Sequence, residues 1–281
     1  MERILLKPIN PYYPCQPGYR SAQGTYHEAV IPPGTMLGRR VCQFFEVDNF
    51  PGGSLSVLPD GCHDIVLTFD GETLTGWLSP SIRETFTFQF PACRWVFGVR
   101  FLPGATYALF PRTPAPGEPL AISLRDLLPD FGPVADRLPH TRTFAQRQRL
   151  LTAYLPLASP DDADRVAAYC VERLLSSEIP PAVEELAEES GYSSRYIRAL
   201  FADRIGHSPK ELSSILRMQR ALGYLWDNAV ADLSDTAQRF GFSDQSHMNR
   251  EFRKWFGLTS GMVKDAENWV YQIRTGKIRW F

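Results

Sequence analysis

The chain has 281 residues, a net charge of −1 and a hydrophobic fraction of 44%, which suits two globular domains better than one. No apolar run is long enough to span a bilayer, and Met1-Glu2-Arg3-Ile4-Leu5-Leu6-Lys7-Pro8 is too short an apolar stretch for a secretory signal. Five cysteines (Cys15, Cys42, Cys62, Cys93, Cys170) make an odd set without a CxxC pair, so neither a disulfide framework nor a structural zinc is expected, and reduced thiols in a cytoplasm are.

Proline divides the chain: 20 of its 23 prolines lie at or before Pro160 and none follows Pro209. The early part reads as short β segments between turns. Residues 41–48, 55–58, 64–69, 84–90 and 95–101 are β-branched or aromatic-rich and bounded by Gly, Pro and Asp. Thr85-Phe86-Thr87-Phe88-Gln89-Phe90 alternates at period two, which predicts three phenylalanines on one buried face. From Gly104 the pattern turns helical, and 124–128, 133–138 and 143–155 are expected to pack on or beside the sheet. Pro59-Asp60-Gly61 is turn chemistry. The following Cys62-His63-Asp64 carries ligand-type side chains, but neighbours on a strand point to opposite faces, which favours a structural turn over a ligand site.

Ala158-Ser159-Pro160-Asp161-Asp162 is the expected linker, with Asp161 or Asp162 capping the next helix. Apolar stripes then predict a run of helices. Val166, Cys170 and Leu174 form the first stripe, and Val183, Leu186 and Ala187 the second, on a short helix that ends at Gly191. Ile197, Leu200 and Phe201 follow the N-cap candidate Ser193. A long helix over 209–227 carries Leu212, Ile215, Leu216, Leu222, Leu225 and Trp226 on one face, and helices over 233–240, 244–256 and 260–268 complete the series. From Gly191 onward 14 Lys and Arg stand against nine Asp and Glu, a net of +5 that leaves −6 for residues 1–190. A positive end on a slightly acidic chain is compatible with phosphate binding.

One motif occurs twice in this region. Leu186-Ala187-Glu188-Glu189-Ser190-Gly191-Tyr192-Ser193 leads into Ile197, Leu200 and Phe201, and Thr236-Ala237-Gln238-Arg239-Phe240-Gly241-Phe242-Ser243 leads into Met248 and Phe252. Ala187 and Ala237 let two helices cross closely, Gly191 and Gly241 supply a left-handed turn, and Ser193 and Ser243 suit the cap of the second helix. Such a unit is a helix-turn-helix, and its second helix points Ser194, Arg195 and Arg198 outward in one copy. In the other copy the outward residues are Gln245, Ser246, Asn249 and Arg250, with Arg253 and Lys254 further along. Arg reads guanine O6 and N7, and Gln or Asn reads adenine N6 and N7, so this residue set fits the major groove. A connecting helix of about 18 residues is about 27 Å long, which allows the two units to enter successive major grooves on one side of a duplex. The bland reading of the same pattern is a solvated face of a plain helical bundle; its duplication favours DNA.

At these residues the sequence resembles the AraC family of bacterial transcription regulators. Gly241-Phe242-Ser243-Asp244-Gln245-Ser246-His247-Met248-Asn249-Arg250-Glu251-Phe252-Arg253, followed by Gly257-Leu258-Thr259, is similar to that family's signature around its second recognition helix. Gly206-His207-Ser208-Pro209 and Arg217 resemble the first unit. Ser260 stands where the family usually has Pro, Val263 where an aromatic is usual, Met248 where Phe is common and Ala199 where some members place a base-contacting Arg. The resemblance implies a seven-helix DNA-binding domain with base contacts from Arg195 and Arg198 and from Gln245, Ser246, Asn249 and Arg250. Residues 58–66 and 98–105 resemble a β-rich sensor type found fused to such domains, which implies a small-molecule effector. Trp77, Trp95, Arg100 and Asp64 are the candidate effector residues; for Arg100 the competing and favoured reading is an ion pair with Asp64 or a surface acid, and for the tryptophans it is core packing.

The expected architecture is α+β in two domains. Residues 1–158 form a β-rich, cupin-like or related regulatory domain with flanking helices, 159–268 an all-α double helix-turn-helix domain, and 269–281 an extension in which Thr275-Gly276 suits the turn of a β-hairpin. The expected function is sequence-specific DNA binding, acting as an activator under effector control, or alternatively under control of a protein partner or self-association. Expected partners are double-stranded DNA, a small-molecule effector, RNA polymerase and a second copy of the chain, with no membrane. No Ser/His/Asp, Walker or dinucleotide signature supports an enzyme, an Ada-like methyl acceptor would need a reactive Cys and a Cys-rich zinc cluster, and no cofactor or metal is expected.

Overall fold

The computed structural model describes residues 12–20, 22–107, 110, 122–123, 131–155, 162–228 and 230–264. The first half holds a short helix α1 (Pro17–Arg20) and strands β1 (Thr25–Val30), β2 (Val41–Phe50), β3 (Gly53–Val57), β4 (His63–Phe69), β5 (Leu74–Ser79), β6 (Phe86–Phe90), β7 (Cys93–Phe101) and β8 (Ile122–Ser123). Helices α2 (Gly132–Arg137) and α3 (Phe144–Tyr154) follow. Six strands form one antiparallel sheet in the order β1-β2-β7-β4-β5-β8, while β3 and β6 pair separately. All five expected β segments are present, and β1, β5 and β8 are additional.

Strand alternation splits the six-stranded sheet into two apolar faces. One carries Phe44, Leu67, Trp95, Phe97, Val99 and Phe101 against Val134, Leu138 and Leu151 from α2, α3 and the turn between them. Each fully buried phenylalanine there contributes about 1.5–3 kcal/mol. The other face carries Phe45, Val47, Val66 and Val96 beneath Tyr19 of α1, Leu55 of β3 and Phe90 of β6. Gly98 is required at the centre of this second face: a Cβ there would lie 2.0 Å from the Phe45 ring. Phe86, Phe88 and Phe90 do share a face, with ring centroids 4.7 and 5.9 Å apart along the row. Only Phe90 is buried, however, and Phe86 is 43% exposed, so the three do not all enter the core.

Seven helices follow among the described residues: α4 (Asp162–Ser176), α5 (Val183–Ser190), α6 (Ser194–Arg204), α7 (Pro209–Asp227), α8 (Leu233–Arg239), α9 (Gln245–Phe256) and α10 (Ser260–Lys264). The expected helix over 124–128 and the hairpin over 269–281 lie outside the described residues. α7 starts in a capping box, with Ser208 accepting from Glu211 N–H, Glu211 accepting from Ser208 N–H, and Pro209 in the first turn. Its side chains serve two cores. Leu212 and Leu216 pack with Val171, Leu174, Leu186, Ile197 and Phe201, while Ile215, Met218, Leu222 and Leu225 pack with Phe240, Met248, Phe252 and Phe256.

The β-rich half enters both of these cores. Cys15 and Leu58 join the second, and Tyr12, Cys42 and Cys62 join the first. Gln219 of α7 is buried at this seam, accepting from Cys15 N–H at 2.8 Å and donating to the Pro59 carbonyl at 2.8 Å. This explains why α7 is buried beyond its predicted stripe, at Met218, Gln219 and Ala221 as well.

Candidate nucleic-acid interface

The first unit begins with α5, which ends on Gly191 in the left-handed region at φ +75°. Ser193 then caps α6 by accepting from the Tyr196 N–H at 3.2 Å. Ile197, Leu200 and Phe201 are buried, and this fixes the opposite side outward. Arg195 and Arg198 are exposed there and Ser194 is half-buried. Arg198 donates to Glu184 at 2.8 Å, with both side chains more than half exposed. A pair so exposed contributes about 0–1 kcal/mol and is readily exchanged for a nucleic-acid partner. Tyr196 is exposed on the same helix and stacks on Tyr192 with centroids 4.9 Å apart. Neither tyrosine is among the outward residues expected from the sequence, since neither offers the paired hydrogen bonds by which Arg, Gln and Asn read a base edge.

The second unit repeats this construction with one change. Asp232 caps α8 by accepting from Ser234 and Asp235 N–H, Ala237 is buried at the crossing, and Gly241 adopts φ +71°. The cap of α9 is Asp244, one residue later than the expected Ser243, accepting from the His247 N–H at 2.6 Å. Ser243 instead bonds the His247 ring at Nδ1. A charged acceptor at a helix N-terminus is stronger than a hydroxyl, and the backbone N–H of His247 holds the Asp244 carboxyl below its ordinary range. Met248, Phe252, Trp255 and Phe256 anchor α9, leaving Gln245, Ser246, Arg250, Arg253 and Lys254 exposed.

Asn249 is the exception on this face. It is half-buried, and its Oδ1 accepts from both the N–H (3.0 Å) and the hydroxyl (2.8 Å) of Ser260 at the start of α10. Proline at position 260 would have neither donor, so the departure from the family pattern is what this brace requires. The paired recognition of adenine expected of Asn249 needs that oxygen; with both lone pairs in use, only its amide NH2 is open to a base.

Of the candidate effector residues, Arg100 and Asp64 meet, Trp77 shares their face of the sheet and Trp95 lies on the other. Arg100 is fully buried and grips Asp64 with two hydrogen bonds of 2.9 and 2.6 Å, with Asp60 at 3.4 Å. Burial opposes the guanidinium charge, but Asp64 and Asp60 more than offset it and keep Arg100 protonated. Its guanidinium also lies 5.2 Å from the centroid of Phe45. Trp77 is on the same face, half-buried and stacked on Phe90. Trp95 lies on the opposite face, buried against Phe69 and beneath the Arg147 guanidinium, which is itself held by Glu46. Asp60 accepts from the Cys62 N–H, as a turn requires, and burial pushes the Cys62 thiol up, away from nucleophile chemistry.

A family model described as a helix-turn-helix domain matches residues 186–265, which takes in both units. The C-terminal region is an AraC-type helix-turn-helix domain. Residues 29–116 match a domain of unknown function, DUF6597. With this AraC-type domain the chain is a DNA-binding transcription regulator. Among solved structures it is similar to ToxT from Vibrio cholerae, at 8% identity and a TM-score of 0.40, covering 86% of this chain and 98% of that one. A ligand-free variant of ToxT from the same organism is similar at 10% identity and a TM-score of 0.37, covering 82% and 97%. No curated protein matches the chain. Among the described residues no helix is long and apolar enough to cross a membrane.

Proposed function

We propose that the chain is a sequence-specific regulator, acting as an activator, in which residues 159–268 read double-stranded DNA and residues 1–158 receive the controlling signal. One observation carries the reading: α6 and α9 occupy equivalent places in two copies of one unit, each pinned by its apolar side and each turning polar side chains outward. Arg195, Arg198 and Arg250 suit guanine, Gln245 suits adenine, and Ser194, Ser246 and the Asn249 amide add single hydrogen bonds. Arg253 and Lys254 suit phosphates. The 19-residue α7 joins the units across about 28 Å, and with its supporting helices this approaches the 34–36 Å of one duplex turn. Selection of bound sequences from random duplexes tests the reading. Wild-type protein is expected to enrich a site with two clusters of preferred bases, and Arg250→Ala to lose preference at one step of one cluster. Wild-type protein that enriches no sequence overturns it.

For the signal we propose a small-molecule effector, with Trp77 as the contact that reaches solvent and the buried Asp64, Arg100 and Trp95 as framework. RNA polymerase is the further partner an activator needs. The alternative, control by a protein partner or a second copy, is supported by β1, whose outer edge no strand covers among the described residues. Thermal unfolding separates the two, since a ligand at 100 times its Kd adds about 2.7 kcal/mol whereas self-association makes the midpoint depend on protein concentration.

A further inference from the structure

The two DNA-reading units have separate cores, and α7 is the helix that serves both. Beside α7, Arg239 of α8 lies 3.4 Å from Glu178 in the turn between α4 and α5, an exposed pair that contributes about 0–1 kcal/mol. A further connection comes from the other half of the chain, through the segment 80–85 between β5 and β6. Ser81 is fully buried, with its Oγ 2.7 Å from Nε2 of His207, itself buried in the turn between α6 and α7. Arg83 donates to the Gly206 carbonyl at 3.1 Å and lies 3.7 Å from Glu211 in the first turn of α7. Thr85 donates to the carbonyl of Phe256, the last residue of α9, at 3.3 Å. The final carbonyls of a helix have no partner within it. One strap therefore supplies a donor to the last carbonyl of α9 and holds the turn that follows α6.

We infer that the 80–85 strap sets the placement of α6 relative to α9, and so the spacing between DNA subsites that the protein accepts. The inference rests on the DNA reading proposed above. Ser81, Arg83 and Thr85 are positioning residues that act through the two helices, and together with α7 they tie both to one frame. The strap continues directly from β5, the strand of Trp77, so a displacement of that strand reaches both units at once.

The test uses the full chain, as wild type and as Ser81→Ala/Arg83→Ala/Thr85→Val. Each is titrated against duplexes carrying the selected site, and against the same site with one base pair inserted or removed between subsites. Wild type is expected to discriminate strongly, since one base pair rotates a subsite by about a tenth of a turn. In the variant, preference within each subsite persists, while discrimination between spacings falls about tenfold, a change of about 1.4 kcal/mol. Arg83→Ala and Thr85→Val alone, the first at a half-exposed side chain and the second nearly isosteric, are expected to move the same way and remain informative if the triple variant does not fold. Folded variants with wild-type spacing discrimination overturn the strap and leave the DNA reading intact. Wild type that selects no sequence overturns the DNA reading, and the strap with it.

Discussion

Arg100 and Arg198 are the same residue type in opposite circumstances. Arg100 is desolvated among two carboxylates and the Phe45 ring, so its removal strands Asp64, whereas Asp60 keeps its bonds from Gln16 and the Cys62 N–H. Arg100→Ala is expected to lower stability by about 3–5 kcal/mol in urea unfolding, whereas Arg100→Met combined with Asp64→Leu recovers much of that loss. A loss below about 1 kcal/mol for Arg100→Ala would show that the buried pair carries no such weight. Arg198, paired only at the surface, has little stabilising role and is free to serve recognition. The sequence left two readings of Arg100 open, because nothing local decides whether a partner 36 positions away faces the same side of a sheet. Register decides it: β4 and β7 pair with Asp64 directly opposite Arg100.

At the scale of elements, what could be read depended on whether the signal was local. The two helix-turn-helix units were legible because their stripes, glycines and caps all lie within a few residues of one another. Strands β1 and β5 were not: β1 is an edge strand whose side chains are mostly exposed, and β5 has Gly76 in its centre, so neither shows an apolar alternation. The misplaced cap of α9 has a different cause, since Ser243 and Asp244 are both good caps and only backbone geometry chooses between them. Asp244→Ala is accordingly expected to destabilise α9 and weaken DNA binding, with Ser243→Ala nearer to neutral; the reverse order in thermal unfolding would return the cap to Ser243. Ser193→Ala, at the single cap of α6, is expected to cost about 1 kcal/mol.

At the scale of the whole molecule, the β-rich half and the helical half share cores. Gln219, Ser81 and Thr85 bridge the seam by hydrogen bonds and Tyr12 by packing, and none stands out in a pattern of hydrophobicity or charge, which is why the sequence offered no sign of it. The seam also has a pH signature. Burial, helped by the charges of Arg83 and His63 and opposed by Glu211, lowers His207 from 6.5 to about 4. Between those values the unfolded chain takes up a proton that the folded chain refuses. Stability is therefore retained at neutral pH and falls as pH drops from about 6.5 toward 4, by up to about 3 kcal/mol from this group. His207→Gln is expected to flatten that part of the profile of unfolding free energy against pH; an unaltered slope would assign it elsewhere.

The five buried cysteines give the molecule a built-in set of reporters. Cys15, Cys42 and Cys62 are sealed where the two halves meet, Cys93 is in the sheet and Cys170 is in the helices. An alkylating reagent of modest size, followed by mass analysis of which thiols it has reached and in what order, would therefore time the parting of the halves separately from the melting of either one.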